Sequence, residues 1–134
     1  MSGRRLGALL WLNVVPQAIL GVGVFAIAPD AVFPGLDATG ALALRIAAFS
    51  NVAQVILTAT ALRRRQDLAL QRVMVLAFGL YHALALAQSG LIAFVLPPSA
   101  LSEACRGPAG FHAVMATLLL VGGWARPPAR EPPC

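Results

Sequence analysis

Lysine is missing from this chain altogether: its ten basic residues are all arginine. Without a lysine amine there is no Schiff-base chemistry, which removes retinal-type pigments and lysine nucleophiles from consideration. Acidic residues are scarce too, five in 134, and charged residues together make up 11% of the chain. An ordinary soluble domain carries roughly 25%. Two cysteines, two histidines and one tyrosine complete a short inventory of reactive side chains. It holds no serine–histidine–carboxylate arrangement, no glycine-rich phosphate loop and no paired carboxylates, which points away from catalysis.

Hydrocarbon is what the chain has in excess. Hydrophobic residues form 59% of it and the mean hydropathy is +0.80. A soluble fold of this length has too little interior to bury that much apolar surface, so the class is integral membrane protein, with one domain. Four apolar runs, near residues 6–28, 41–62, 73–96 and 109–125, approach or exceed the ~20 residues needed to cross the hydrocarbon core. The expected fold is therefore all-α, a four-helix transmembrane bundle. The first run is read as a retained helix. Ala26-Ile27-Ala28 resembles a signal cleavage site, but the run is long and Pro29 would follow the cut.

The arginines give the expected topology. Arg4 and Arg5, then Arg63, Arg64, Arg65 and Arg72, then Arg126 and Arg130 fall on one side; the other side holds Arg106 with Asp30, Asp37 and Glu103. By the positive-inside rule both termini and the second loop are cytoplasmic, in a plasma or inner membrane. The net charge of +5 is thus a topology signal and not a nucleic-acid footprint. Arg63, Arg64, Arg65 and Arg72 are placed to meet anionic headgroups, at about 1 kcal/mol each. Arg45, one turn inside the second run, is placed to snorkel to the opposite headgroups. Prolines 29, 34, 97, 98 and 108 punctuate the outer loops, and residues 126–134 read as a disordered Pro/Arg-rich tail. Trp11 and Trp124 fit interfacial positions. Cys105 and Cys134 fall on opposite sides and cannot pair within one chain, although Cys105 could pair with a partner in an oxidising compartment.

The polar residues within the runs carry the functional question. Asn13 and Gln17 share a helix face, as do Asn51, Gln54 and Thr58; Tyr81 and His82 sit at the middle of the third run, and the fourth offers His112 and Thr117. Counting from the run ends places Gln17, Asn51, His82 and Thr117 near the centres of their helices, so one polar group per helix converges in an inward belt. Two readings of the belt stay open. It can be interhelical glue, worth about 0.6 kcal/mol per contact. It can also be a pocket in which Gln17, Asn51, Gln54, Tyr81, His82 and Thr117 orient the polar head of a lipid or quinone. His112 lies near the outer end of the fourth run while His82 is central, so the two are not expected to face each other, which counts against a haem or a metal. No cofactor is expected beyond a lipid or quinone. Small residues at four-residue spacing, such as Gly79, Ala83 and Ala87, permit close helix packing, with other membrane subunits or further copies of the chain as expected partners.

Four runs with both ends inside, Arg45 early in the second, an arginine-rich inner loop and the Tyr81-His82 pair together resemble small DoxX-like membrane proteins. The resemblance covers most of the chain in layout. It implies a four-helix bundle and, for some members, partners in redox or membrane complexes. The chain is similar in layout, too, to sterol-handling four-helix proteins of the emopamil-binding type. Those use intramembrane acidic residues, and none stands in these runs, so isomerase activity is not implied. Two functions follow as expectations: a non-catalytic accessory or assembly subunit of a larger membrane complex, or a binder of a small amphipathic ligand.

Overall fold

The computed structural model describes residues 3–24, 35 and 37–125. The expectations for Pro29, Asp30 and Pro34, and for the tail with Arg126, Arg130 and Cys134, lie outside the described residues. The described chain is helical: α1 (Gly3–Pro16) continued by a π-helical stretch (Gln17–Val24), α2 (Ala38–Arg63), α3 (Leu68–Gly90) continued by a second π-helical stretch (Leu91–Val95), and α4 (Ala100–Trp124). Among the described residues three helices are long and apolar enough to cross a bilayer: Gly3–Gly23, Leu68–Val95 and Cys105–Trp124. The remaining helix, α2, has the length at 26 residues.

Local chemistry sets the ends of these helices. Proline cannot donate to the carbonyl four residues back and its ring crowds that carbonyl. The helix changes to wider i→i+5 turns immediately after Pro16. α3 starts at Asp67, whose carboxylate accepts from the Leu70 backbone N–H at 2.9 Å, the usual way to satisfy an orphan amide at a helix start. The basic turn is therefore short, and Arg72 lies inside α3.

The start of α4 differs most from expectation. Ser99 and Ser102 form a reciprocal capping box, with the Ser102 N–H donating to Ser99 Oγ at 3.1 Å and the Ser99 N–H donating to Ser102 Oγ at 2.8 Å. Glu103 follows in the first turn and pairs with Arg106 at 2.8 Å, a charge order that suits the helix dipole. The helix thus begins nine residues before the expected position 109, and Pro108 lies within it. The stretch expected to be loop is mostly helix.

The helices pack with polar groups inside and hydrocarbon outside. α3 and α4 form the closest pair. Gly79 permits this: a Cβ there would stand 2.8 Å from Leu120 Cδ2 and 3.1 Å from the Leu120 backbone nitrogen. An apolar cluster of Leu6, Leu10, Ala61, Val75, Phe78, Met115 and Leu119 fills the half of the bundle nearer the arginine turn. Beyond it the interior turns polar, with Asn13, Gln17, Asn51, Gln54, Thr58 and His82 all buried. The outer surface carries Phe49 at 71%, Phe94 at 70% and Trp124 at 69% exposure, an inversion of the soluble pattern.

Arg72, one of the expected headgroup set, is engaged within the bundle. Its Nε donates to the Gly123 carbonyl at 2.8 Å and its Nη2 to that of Trp124 at 3.4 Å. A cation on the orphan carbonyls of a helix C-terminus is favourable, so this guanidinium ties α3 to the end of α4. Arg45, Arg63, Arg64 and Arg65 are exposed. The last three, with Gln66 and Asp67, line a cavity of about 400 Å³ at the turn.

Gly79→Ala tests the close packing of α3 and α4. Alanine gains about 1 kcal/mol of helix propensity over glycine, whereas overpacking costs about 1–3 kcal/mol. Because the obstruction includes backbone, the loss is expected to win. The midpoint of thermal unfolding in detergent should fall, and an unchanged or raised midpoint would contradict the packing described.

Candidate functional site

The early start of α4 brings the two histidines together. His112 becomes the thirteenth of the 25 residues of α4, and His82 the fifteenth of the 28 between Leu68 and Val95. Their Nδ1 atoms approach to 2.8 Å and their ring centroids to 5.0 Å. The expectation that they would not face each other is therefore corrected. The reason is that Pro108 marks no helix boundary and lies inside α4.

On its other side His82 reaches α1. Its Nε2 lies 2.8 Å from Asn13 Oδ1 and 3.4 Å from Gln17 Nε2. The shorter contact decides the proton positions, because a hydrogen bond weakens with length and the Gln17 contact is the longer by 0.6 Å. An amide oxygen only accepts, so His82 Nε2 carries hydrogen and donates to Asn13. In a neutral ring its Nδ1 is then an acceptor, and it takes the Nδ1–H of His112. That leaves His112 Nε2 with a bare lone pair and no hydrogen-bond partner among the described residues. One chain of hydrogen bonds, His112 to His82 to Asn13, thus joins α4, α3 and α1 at mid-height. His82 is fully buried at 0% exposure, and among the described residues no carboxylate contacts it.

Aromatic rings frame the pair. Tyr81 meets His82 and His112 edge-on at centroid distances of 5.4 and 6.4 Å, and Phe111 meets them at 5.6 and 5.5 Å. Such edge-to-face contacts fix ring orientation and contribute about 0.5–1.5 kcal/mol each. A haem held between the two histidines would need their rings on opposite faces of a macrocycle, and here they touch. Among the described residues no group of three or more His, Cys, Asp or Glu side chains is placed to hold a metal ion.

The α2 face completes the site. Gly7 lies against Leu62, and Gly21 lies so close to Asn51 that a Cβ there would overlap the amide. These two anchors set an antiparallel register that puts Thr58 level with Asn13 and Gln54 level with Gln17. The inward stripe of α2 therefore stands at the height of the histidine chain. It is poorly satisfied: Asn51 Oδ1, Gln54 Nε2 and Oε1, Thr58 Oγ1 and, across from them, Asn13 Nδ2 are buried without a hydrogen-bond partner. Unpaired polar atoms cost about 1–3 kcal/mol each when buried.

Comparison with family models, curated proteins and solved structures gives no match. The site is read from its own geometry.

Of the residues singled out from sequence, Gln17, Asn51, Gln54 and His82 are buried and Tyr81 is half-buried beside them. Thr117 is not with them. It is exposed and its hydroxyl donates to the Ala113 carbonyl at 2.9 Å, the back-bonding available to any helical threonine. The sequence places Asn13 on the face of Gln17 but not in the pocket set, and sets His112 aside. The four-residue spacing of Asn13 and Gln17 was the signal for the first, and the serine pair at 99 and 102 was the signal for the second. Gln71 is a further buried amide, 2% exposed, whose Nε2 donates to the Ala61 carbonyl at 3.4 Å.

A double-mutant cycle on Asn13→Ala and His82→Ala, read by unfolding in mild detergent, should give a coupling of about 0.6–1.7 kcal/mol. His82→Ala should cost more than Asn13→Ala, since it strands partners on two helices. A coupling indistinguishable from zero would refute the hydrogen bond.

Proposed function

We propose that this protein is a small multi-pass membrane protein that binds the polar head of a small amphipathic ligand, a lipid or a quinone, in the buried polar layer between α1, α2, α3 and α4. The observation that carries the reading is the set of buried, unpartnered atoms on Asn13, Asn51, Gln54 and Thr58. Interhelical glue would leave them paired with each other. A ligand head offering donors and acceptors would satisfy them, while the alanine- and leucine-rich helix walls would hold an apolar body. The apolar exterior and the three long apolar helices support a bilayer setting. The excess of arginine at one end supports a cytoplasmic placement of that end, and with it of both termini, in a plasma or inner membrane. Arg63, Arg64 and Arg65 are the headgroup contacts on that side and Arg45 the contact on the other. The likeness in layout to small DoxX-like membrane proteins adds the four-helix arrangement to this reading.

An accessory role within a larger membrane complex is the second reading. It is favoured by the outward side of α4, where a Cβ built at Gly107 or Gly110 would meet nothing within 4 Å. A neighbouring helix from a partner subunit or a second copy packs closely on such a surface.

Gln54→Leu separates ligand binding from glue. Replacing an unpartnered buried amide by a leucine of similar size is neutral or stabilising, whereas removing a partnered one is costly. The variant should unfold at an equal or higher temperature than wild-type protein stripped of bound lipid and quinone, and on purification in mild detergent it should lack the small molecule present in an organic extract of the wild-type protein. An extract of the wild-type protein with no lipid or quinone at stoichiometric level contradicts the ligand reading. Co-elution of wild type with stoichiometric larger proteins supports the second.

A further inference from the structure

We infer that the site selects a ligand whose polar head donates a hydrogen bond, an alcohol or phenol such as a hydroquinone, over one whose head only accepts. The inference rests on the ligand-binding reading and deepens it. Its basis is the direction of the hydrogen-bond chain. Asn13 Oδ1, 2.8 Å from His82 Nε2, takes the one proton of the neutral His82 ring. His82 Nδ1, 2.8 Å from His112 Nδ1, can then only accept, which draws the His112 proton to Nδ1. Each ring nitrogen is thereby assigned, and His112 Nε2 is left as a lone pair.

The surroundings agree with this. His112 is half-buried, and its Nε2 is not among the fully buried unpartnered atoms, so a ligand head can reach it from outside the bundle. The groups facing the pair are Tyr81 and Phe111 as rings, Asn13 and Gln17 from α1, and, at the same height, Gln54 and Thr58 from α2; among the described residues none of these bears a charge. An imidazolium there would have no counter-ion, so the two rings stay neutral. A hydroxyl donating to His112 Nε2 extends the chain by one link in the same direction. A carbonyl at that position would set lone pair against lone pair.

The test uses a short-chain alkyl hydroquinone, kept reduced, and its dimethyl ether, which has the same body and no donor. Both are titrated into the purified protein with ¹⁵N-labelled histidine. The hydroquinone should bind about tenfold more tightly than the ether, the size of one hydrogen bond, and should shift the His112 Nε2 resonance. In His112→Phe the two probes should bind alike. Equal binding of the probes to wild type, with the His112 resonance unmoved, overturns the donor selectivity and leaves the ligand reading standing. Failure of both probes to bind goes against both for this class of ligand. Should His112→Phe not fold, the wild-type spectrum still decides, because a protonated Nε2 on unliganded His112 overturns the inference.

Discussion

A polar side chain shielded from water must find its hydrogen bonds within the protein, and that constraint orders this structure. The chain turns many of its large apolar side chains outward and buries Asn13, Gln17, Asn51, Gln54 and His82. In an apolar surrounding, hydrocarbon gains nothing by hiding, so helices associate through close backbone approach and internal polar contacts. Both devices are present. Gly79 lets α3 and α4 approach closely, and the His112–His82–Asn13 chain links three helices at one height. Arg72 closes the same pair of helices at their end.

The polar layer is divided in character. On the α3–α4 side every nitrogen of His82 is engaged and the rings are held by aromatic edges, with His112 Nε2 alone left open. On the α1–α2 side several amide and hydroxyl atoms are buried alone. A network half satisfied is less stable than either a complete one or an apolar core. The π-helical stretch after Pro16 runs along the α1–α2 side and carries Gly21, where the absence of a side chain admits the Asn51 amide. Local widening of a helix is common where backbone and side chains must accommodate something other than the helix itself.

Much of this was legible in the sequence. Hydropathy gave the helices and their number, and face periodicity gave the inward stripe of Asn51, Gln54 and Thr58, because both signals are repeated along many residues. What escaped depended on single residues. Pro108 suggested a helix boundary, yet the serine box at 99 and 102 starts α4 earlier, and that displacement by about two and a half turns moves His112 from a helix end to its centre. Thr117 is central by count but faces outward, since depth says nothing about azimuth. Arg72 counted as one of a basic cluster, and only the packing of α3 against α4 shows it to be turned onto carbonyls. Sequence gave the depth of each polar group; packing decided which of them meet.

The central claim is that His82 and His112 share a proton between their Nδ1 atoms while His82 Nε2 donates to Asn13. Solid-state NMR of the ¹⁵N-histidine-labelled protein in lipid bilayers tests it directly, through the scalar coupling that only a hydrogen bond carries between two nitrogens. The account predicts a resolved Nδ1–Nδ1 coupling between the two rings, with a protonated Nε2 on His82 and a bare one on His112. Two uncoupled rings, each protonated at Nε2, would contradict it.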